Sequence, residues 1–270
     1  MGVAGAHSFI KNQKVKFQQY AGIREFATSL QQDTVYVDFF GCFFYKIKKM
    51  LYGSLKEKLL GFFISLFRDI PNLVIVYDGA RSQEKLETSI NRLKKQEMGL
   101  IKLEKMLDKC FSLSRIRKRQ YQAVENLQLQ TFNVKAEDII YLKAGMINAG
   151  INIVEAAFKT DVFIASKKNS IVISADGDFY FHKNVKTFGK FSRSGVIAFE
   201  KDHILKSLKV SSEQLLVLGV VSGNDYSPNI AGFGIRKNYG LIKKYSSISD
   251  NFETCLEKYL KLFKWIPPIE

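Results

Sequence analysis

The sequence predicts an α/β protein: a parallel, twisted sheet flanked by helices, with a helical extension at its C-terminal end. Three observations predict it. Short β-rich runs (VYVDFF, LVIVYD, INIVEA, SIVISAD) alternate with longer segments of helical spacing, as parallel strands joined by helical crossovers do. LVIVYD is apolar throughout rather than alternating, which suits a strand covered on both faces. Aspartates close these runs: Asp38 in VYVDFF, Asp78 in VIVYDGA, and Asp176 with Asp178 in VISADGDFYF. Asp225 follows in the turn-rich VSGNDYSPNIAGFG. Open parallel sheets bind ligands outside the carboxyl ends of their strands, so these carboxylates should meet at one edge.

Taken in order, TVYVDFF is the first clear strand. The stretch GCFFYKIKKMLYGSLKEKLLGFFISLF that follows has apolar residues at helical spacing. Pro71 and Asn72 break it ahead of LVIVYD. Residues 82 to about 128 are charged and helical in pattern, without a clean strand. Lys135 to Ala149 reads as an amphipathic helix, then comes the short strand INIVEA, the helix TDVFIASK, the strand SIVISAD and a strand near VKTF. VIAFEKDHILKSL and SSEQLLVLGVVSG lead into the glycine-rich NIAGFGIRKN and a terminal helix. Ser211–Ser212–Glu213–Gln214 has the pattern of a helix cap, a serine start with acid and amide groups in the first turn.

Composition narrows the function classes. No apolar run approaches the roughly 18–20 residues of a membrane span. The start, MGVAGAHSFIKNQ, has no long apolar region, so export is not expected and an intracellular place is, nuclear if the source is eukaryotic. Cys42, Cys110 and Cys255 are widely spaced with no C-x-x-C pair and are expected reduced. With the three histidines scattered as well, zinc is disfavoured, and carboxylate ligands favour Mg²⁺ or Mn²⁺. Yet the formal net charge is +15. An acidic cluster inside a basic protein points to metal ions at the centre and phosphate around them. Between Arg81 and Arg119 twelve Lys/Arg face five acids, with the tract RIRKR at 115–119. That is either a solvated helix face or an arch contacting phosphates, since lysine and arginine release counterions as they neutralise phosphate.

With these motifs in this order, the chain resembles the flap endonuclease/XPG-type structure-specific nucleases, whose core is a PIN-like α/β domain. The likeness runs from MGVAG to about Ile248. Gly2 and Gly5 stand where that family has an MGI-x-G start, followed by Asp38 and by Asp78–Gly79. Lys85 and Arg92 lie seven and fourteen residues after Asp78, the family's lysine and arginine spacings. Asp176–Gly177–Asp178 is similar to its aspartate-x-aspartate, and Gly223–Asn224–Asp225–Tyr226 to its glycine-serine-aspartate-tyrosine. Ile230–Ala231–Gly232–Phe233–Gly234 matches its helix-hairpin turn.

The resemblance implies a metal-dependent 5′ nuclease that hydrolyses phosphodiesters of branched, flap or 5′-ended DNA to 5′-phosphates, with RNA left open. Asp38, Asp78 and Asp161 would hold one Mg²⁺; Asp161, Asp176, Asp178 and Asp225 would hold a second, with Mn²⁺ as a substitute. Two such ions about 4 Å apart can activate a water, hold the scissile phosphate and stabilise the leaving oxygen. Lys85 and Arg92, two helical turns apart and so on one side, would offset transition-state charge. Gly2, Phe44, Gly232, Gly234, Arg236 and Lys237 would contact nucleic acid, with a monovalent cation at the hairpin. Phe44 would stack on a base, or simply join the apolar cluster of Phe39, Phe40 and Phe43. The expected organisation is a PIN-like core over 1–205, with a basic helical arch at about 80–130. A helix-hairpin-helix (H3TH/H2TH-type) extension that binds duplex DNA follows over 206–270. A monomer without an evident clamp-binding tail is expected.

One position departs from the pattern. In Glu155–Ala156–Ala157–Phe158–Lys159–Thr160–Asp161 the second of the family's two acids is matched by Asp161, but Lys159 stands where the first belongs, and a proline is missing. Two unit charges 4 Å apart interact by about 4 kcal/mol at an effective dielectric near 20, so the exchange is not neutral. Lys159 could turn aside, Glu155 could substitute if the helix starts early, or the site could have lost a metal. The last would leave a nucleic-acid-binding or scaffold protein on a nuclease fold.

Overall fold

The structure, a computed structural model, describes residues 3–79, 86–113, 115–223, 230 and 232–263; the side chains of 86–89 and 92 fall outside that description. The β-rich runs become strands, namely β1 (Gln18–Tyr20), β2 (Val35–Asp38), β3 (Leu73–Tyr77), β4 (Ile153–Glu155), β5 (Ser170–Ser174), β6 (Val185–Ser192) and β7 (Gly195–Glu200). They form one sheet in the order β1-β7-β6-β5-β2-β3-β4. The five strands from β6 to β4 are parallel. Every residue of β3 and β5 is buried, as strands covered on both faces require.

The sheet is not parallel throughout. β7 returns antiparallel to β6, and β1 pairs antiparallel with β7. Only Arg193 and Ser194 separate β6 from β7, and two residues can close a hairpin but not a crossover. Gly195 enters β7 at φ 117°, where a Cβ would lie 2.1 Å from the Tyr20 carbonyl oxygen. VIAFEKDHILKSL therefore divides at Glu200 into a strand and a helix.

The helices are α1 (Ala6–Asn12), α2 (Ile23–Thr28), α3 (Phe39–Tyr52), α4 (Lys56–Phe67), α5 (Leu86–Phe111) and α6 (Lys118–Thr131). Then follow α7 (Ala136–Asn148), α8 (Thr160–Ser166), α9 (Lys201–Leu208), α10 (Ser212–Val221), α11 (Ile235–Tyr245) and α12 (Phe252–Lys261). The long stretch after β2 forms two helices. Gly53 is a poor helix former and Ser54 adopts φ 56°, the left-handed conformation that ends a helix. The cap at the start of α10 is as expected: the Gln214 amide donates to Ser211 Oγ at 3.2 Å and the Ser211 amide to Gln214 Oε1 at 3.0 Å. No described helix is long and apolar enough to cross a membrane.

The chain forms two compact units. The first comprises Met1–Cys42, Asp69–Arg81 and Asn152–Glu270 and contains the sheet. Its core runs from Phe9 and Val172 through Phe179, Tyr180, Phe188 and Phe199 to Leu215, Ile235 and Tyr259. Helices α10–α12 thus share one core with the strands. The second comprises Phe43–Arg68 and Ser82–Ile151. In it Phe43, Phe63 and Phe67 interlock edge to face and stacked, and Lys56 pairs with Asp138 at 2.8 Å. Gly145 lets α7 approach α4, a Cβ there falling 2.5 Å from Leu60. The charged stretch is helical as expected, in α5 and α6, with Gln96 Nε2 donating to the Thr131 carbonyl at 2.9 Å.

Candidate active site

Strand order reverses between β5 and β2: β2, β3 and β4 step outward one way, β5 and β6 the other. Such a reversal opens a crevice at the carboxyl ends, because the connecting helices leave to opposite faces. The aspartates are placed along that edge. Asp38 is the last residue of β2, Asp78 directly follows β3, Asp176 lies two residues past β5, and Asp161 is in the first turn of α8, which follows β4. Four neighbouring parallel strands each lead into a carboxylate.

Asp38 sits deepest, 8% exposed. Ser174 Oγ donates to its Oδ2 at 2.7 Å and the Gly41 amide to its Oδ1 at 2.9 Å, so Asp38 caps the first turn of α3. Burial nevertheless pushes its carboxyl up to about 6; the two donors oppose the rise, and the charges of Asp78 and Asp176 add to it. Gly41 is obligatory, since a Cβ there would fall 2.0 Å from Asp38 Oδ2. Ser174 also accepts the Asp176 amide at 2.9 Å, so one hydroxyl ties β2 to the turn after β5.

That turn is a short 3-10 helix, Gly177–Tyr180. Asp176 Oδ1 accepts the Asp178 amide at 3.1 Å, and Asp178 Oδ1 accepts the Val3 amide at 2.6 Å, which brings the N-terminal segment to the site. On the other side Asp78 Oδ1 accepts the Thr160 amide at 2.9 Å. The Gly79 amide donates to the Phe158 carbonyl and the Ala156 amide to the Tyr77 carbonyl. A Cβ on Gly79 would lie 1.8 Å from the Ala156 oxygen, so the glycine after Asp78 permits this crossing. Asp161 Oδ1 accepts the Val162 amide at 2.9 Å.

Basic groups border the acids. Lys190, opposite Ser174 in the β5/β6 ladder, donates to the Ala175 carbonyl. Burial lowers its amine, while Asp176, Cys42 and Asp178 pull the other way. Burial also lowers the imidazole of His182; Asp161 and Asp176 oppose this and Lys201 reinforces it. Gly41, Ser174, Lys190 and His182 escaped the sequence reading. Gly41 and Ser174 had a faint signal, adjacency to a strand-end aspartate and to a strand end; Lys190 had none.

Other expected residues are less tightly grouped. Lys85, Asp225 and Gly2 lie outside the described residues, as does the side chain of Arg92, a residue of α5. Phe44, on α3 in the second unit, is 49% exposed, whereas Phe39 and Phe43 are buried, so it does not share their core role. Gly232 takes φ 81° and Gly234 precedes α11. Lys237 Nζ turns back to the Gly232 carbonyl at 2.9 Å, and Arg236 is exposed. Lys159 directly precedes α8, half buried. Glu155 cannot replace an acid on that helix: α8 begins at Thr160, and Glu155 ends β4, paired with Tyr77.

Aspartates at the ends of neighbouring strands, one of them buried and driven to about 6, supply the oxygen ligands that a hard divalent cation takes. Among the described residues no three His, Cys, Asp or Glu side chains converge into a preformed ligand group.

No protein-family model matches the chain. The flap endonuclease 1 of Sulfurisphaera tokodaii is 23% identical over 265 residues, covering 90% of this chain and 71% of that protein. Among solved structures, the catalytic core of Rad2 in complex with DNA substrate gives a TM-score of 0.56 at 17% identity, covering 98% of this chain and 80% of that one. Flap endonuclease-1 from Methanococcus jannaschii gives 0.56 at 15% identity, covering 96% and 83%. At such identities the structural likeness establishes the fold.

Proposed function

We propose that this chain, whose fold is that of the flap endonuclease/XPG-type nucleases, is a metal-dependent, structure-specific nuclease of branched or 5′-ended DNA. One observation carries the proposal: at the reversal of strand order, four adjacent parallel strands each lead into an aspartate. Sequence likeness to a flap endonuclease over 90% of the chain supports it.

Asp38, Asp78 and Asp161 would hold one Mg²⁺, and Asp161, Asp176, Asp178 and Asp225 a second. When bound, the ions would polarise the scissile phosphate and ease ionisation of water. The chain's own groups set the stage for this. Ser174 and the Gly41 amide aim Asp38, and the Thr160 amide fixes Asp78. Lys85 and Arg92 would offset charge on the phosphate. Phe44 would stack on a base, and Gly232, Gly234, Arg236 and Lys237 would hold duplex against the 206–270 extension.

Lys159 favours a second reading, a catalytically impaired protein that keeps the nuclease fold to bind nucleic acid or to serve as a scaffold. Cleavage of labelled 5′-flap, nicked and single-stranded DNA with Mg²⁺ or Mn²⁺ separates the two. Cutting that disappears in Asp176→Ala establishes a nuclease, and faster cutting by Lys159→Glu shows that the lysine attenuates it. Tight binding without cutting, restored only by Lys159→Glu, selects the second reading. Neither binding nor cutting by any of the three proteins refutes both.

A further inference from the structure

The segment Ala175–Tyr180, which carries Asp176 and Asp178, is gripped at both ends by lysine. Lys190 on β6 donates to the Ala175 carbonyl. Lys201, the first residue of α9, donates to the Tyr180 carbonyl at 2.6 Å. Just past Tyr180 the Phe181 amide closes the turn onto the Asp178 carbonyl at 2.9 Å, and the Tyr180 hydroxyl meets His7 Nδ1 at 2.7 Å.

The placement of Lys201 is costly. It is 8% exposed, and a cation at a helix N-terminus opposes the helix dipole. What the amine alone provides is a donor for a carbonyl at the end of a turn, on a residue with 0% exposure and hence beyond the reach of water.

We propose that Lys190 and Lys201 are positioning residues, a two-point clamp that sets the backbone from Ala175 to Tyr180 and so aims Asp176 and Asp178 for metal binding. This rests on the nuclease reading of the same site.

Charge and geometry predict opposite signs here, which makes the inference testable. If the lysines acted only as charges near the carboxylates, removing one would strengthen cation binding. If they hold the turn, removing one weakens it, as loss of a group that orients a metal ligand does, by about ten-fold or more. The experiment titrates Mn²⁺ into the full chain, reading free Mn²⁺ by electron paramagnetic resonance, for wild type, Lys190→Met, Lys201→Met and Lys190→Arg. Thermal melts accompany each. The expected result is weaker Mn²⁺ binding by both methionine variants while each still melts cooperatively above the temperature of the titration, with Lys190→Arg recovering most of the affinity. Affinity equal to or above wild type in the methionine variants overturns the clamp alone. Affinity lost only where both methionine variants also unfold overturns it as well, leaving a purely structural role. A wild-type chain that binds no Mn²⁺ overturns the metal reading and the clamp together.

Discussion

At the scale of single residues, Asp38 concentrates the conflict built into the site. Its carboxyl is raised from 3.8 to about 6, chiefly by burial. Between those values the folded chain holds a proton that the unfolded chain has released, so this group's contribution to stability increases as pH falls from above 6 towards 4. Above 6 both states are ionised and the folded one bears the full penalty. At about 1.4 kcal/mol per unit, that penalty is of the order of 3 kcal/mol. Asp38→Asn keeps an acceptor for the Gly41 amide without the charge. In metal-free protein it should therefore raise the unfolding free energy at pH 8 and leave it nearly unchanged at pH 4, as urea titrations at both pH values would show. An equal effect at both would mean that the carboxylate carries no buried-charge penalty. Ser174→Ala should do the reverse at pH 8, costing about 1–3 kcal/mol by leaving a buried carboxylate short of a donor. Asp38 was legible in the sequence because a polar residue ends an apolar run. Ser174 gave only the faint signal of a strand end, because its bond to Asp38 spans 136 positions.

Among elements, what sequence could resolve was set by how locally each element is determined. The cap of α10 lies within four residues and was legible. The break between α3 and α4 hides inside an unbroken helical periodicity, because only Gly53 and the left-handed Ser54 mark it. Glu155 illustrates the same limit: whether it can serve α8 depends on where that helix starts, and the crossing at Gly79 fixes the start at Thr160. The two glycines at the ends of the chain's turns make a matched pair for experiment. Gly195→Ala meets a positive φ and a Cβ 2.1 Å from backbone oxygen, so it should destabilise by at least the 1–3 kcal/mol typical of such strain. Gly234→Ala meets ordinary φ and nothing within 4 Å. It should leave the melting temperature unchanged and weaken duplex binding if phosphate approaches that backbone. Unchanged binding with an intact fold would remove Gly234 from the proposed interface.

For the whole molecule, fold class was readable from strand–helix alternation, and the edge position of the candidate site's aspartates from strand ends that any parallel order would gather there. The antiparallel edge and the two compact units were not, since they arise from pairing across distant segments. Net charge is a property of the whole chain, and its consequence is long-range. With +15 to distribute, a nucleic-acid complex should dissociate steeply with salt, each neutralised phosphate contributing about −0.9 to the slope of log affinity against log salt. Salt sensitivity alone says nothing about which cations touch phosphate, but a change of slope does. Arg236 is exposed at the start of α11 and Lys237 is partly engaged with its own turn, so Arg236 is the cleaner probe. Arg236→Gln should leave stability intact and reduce the slope for duplex-containing substrates by about one. For single-stranded DNA, which the 206–270 extension would not grip, the slope should stay as it was. An equal change on both substrates would mean that Arg236 acts through the general field of the protein, and the hairpin would lose its proposed role in holding duplex.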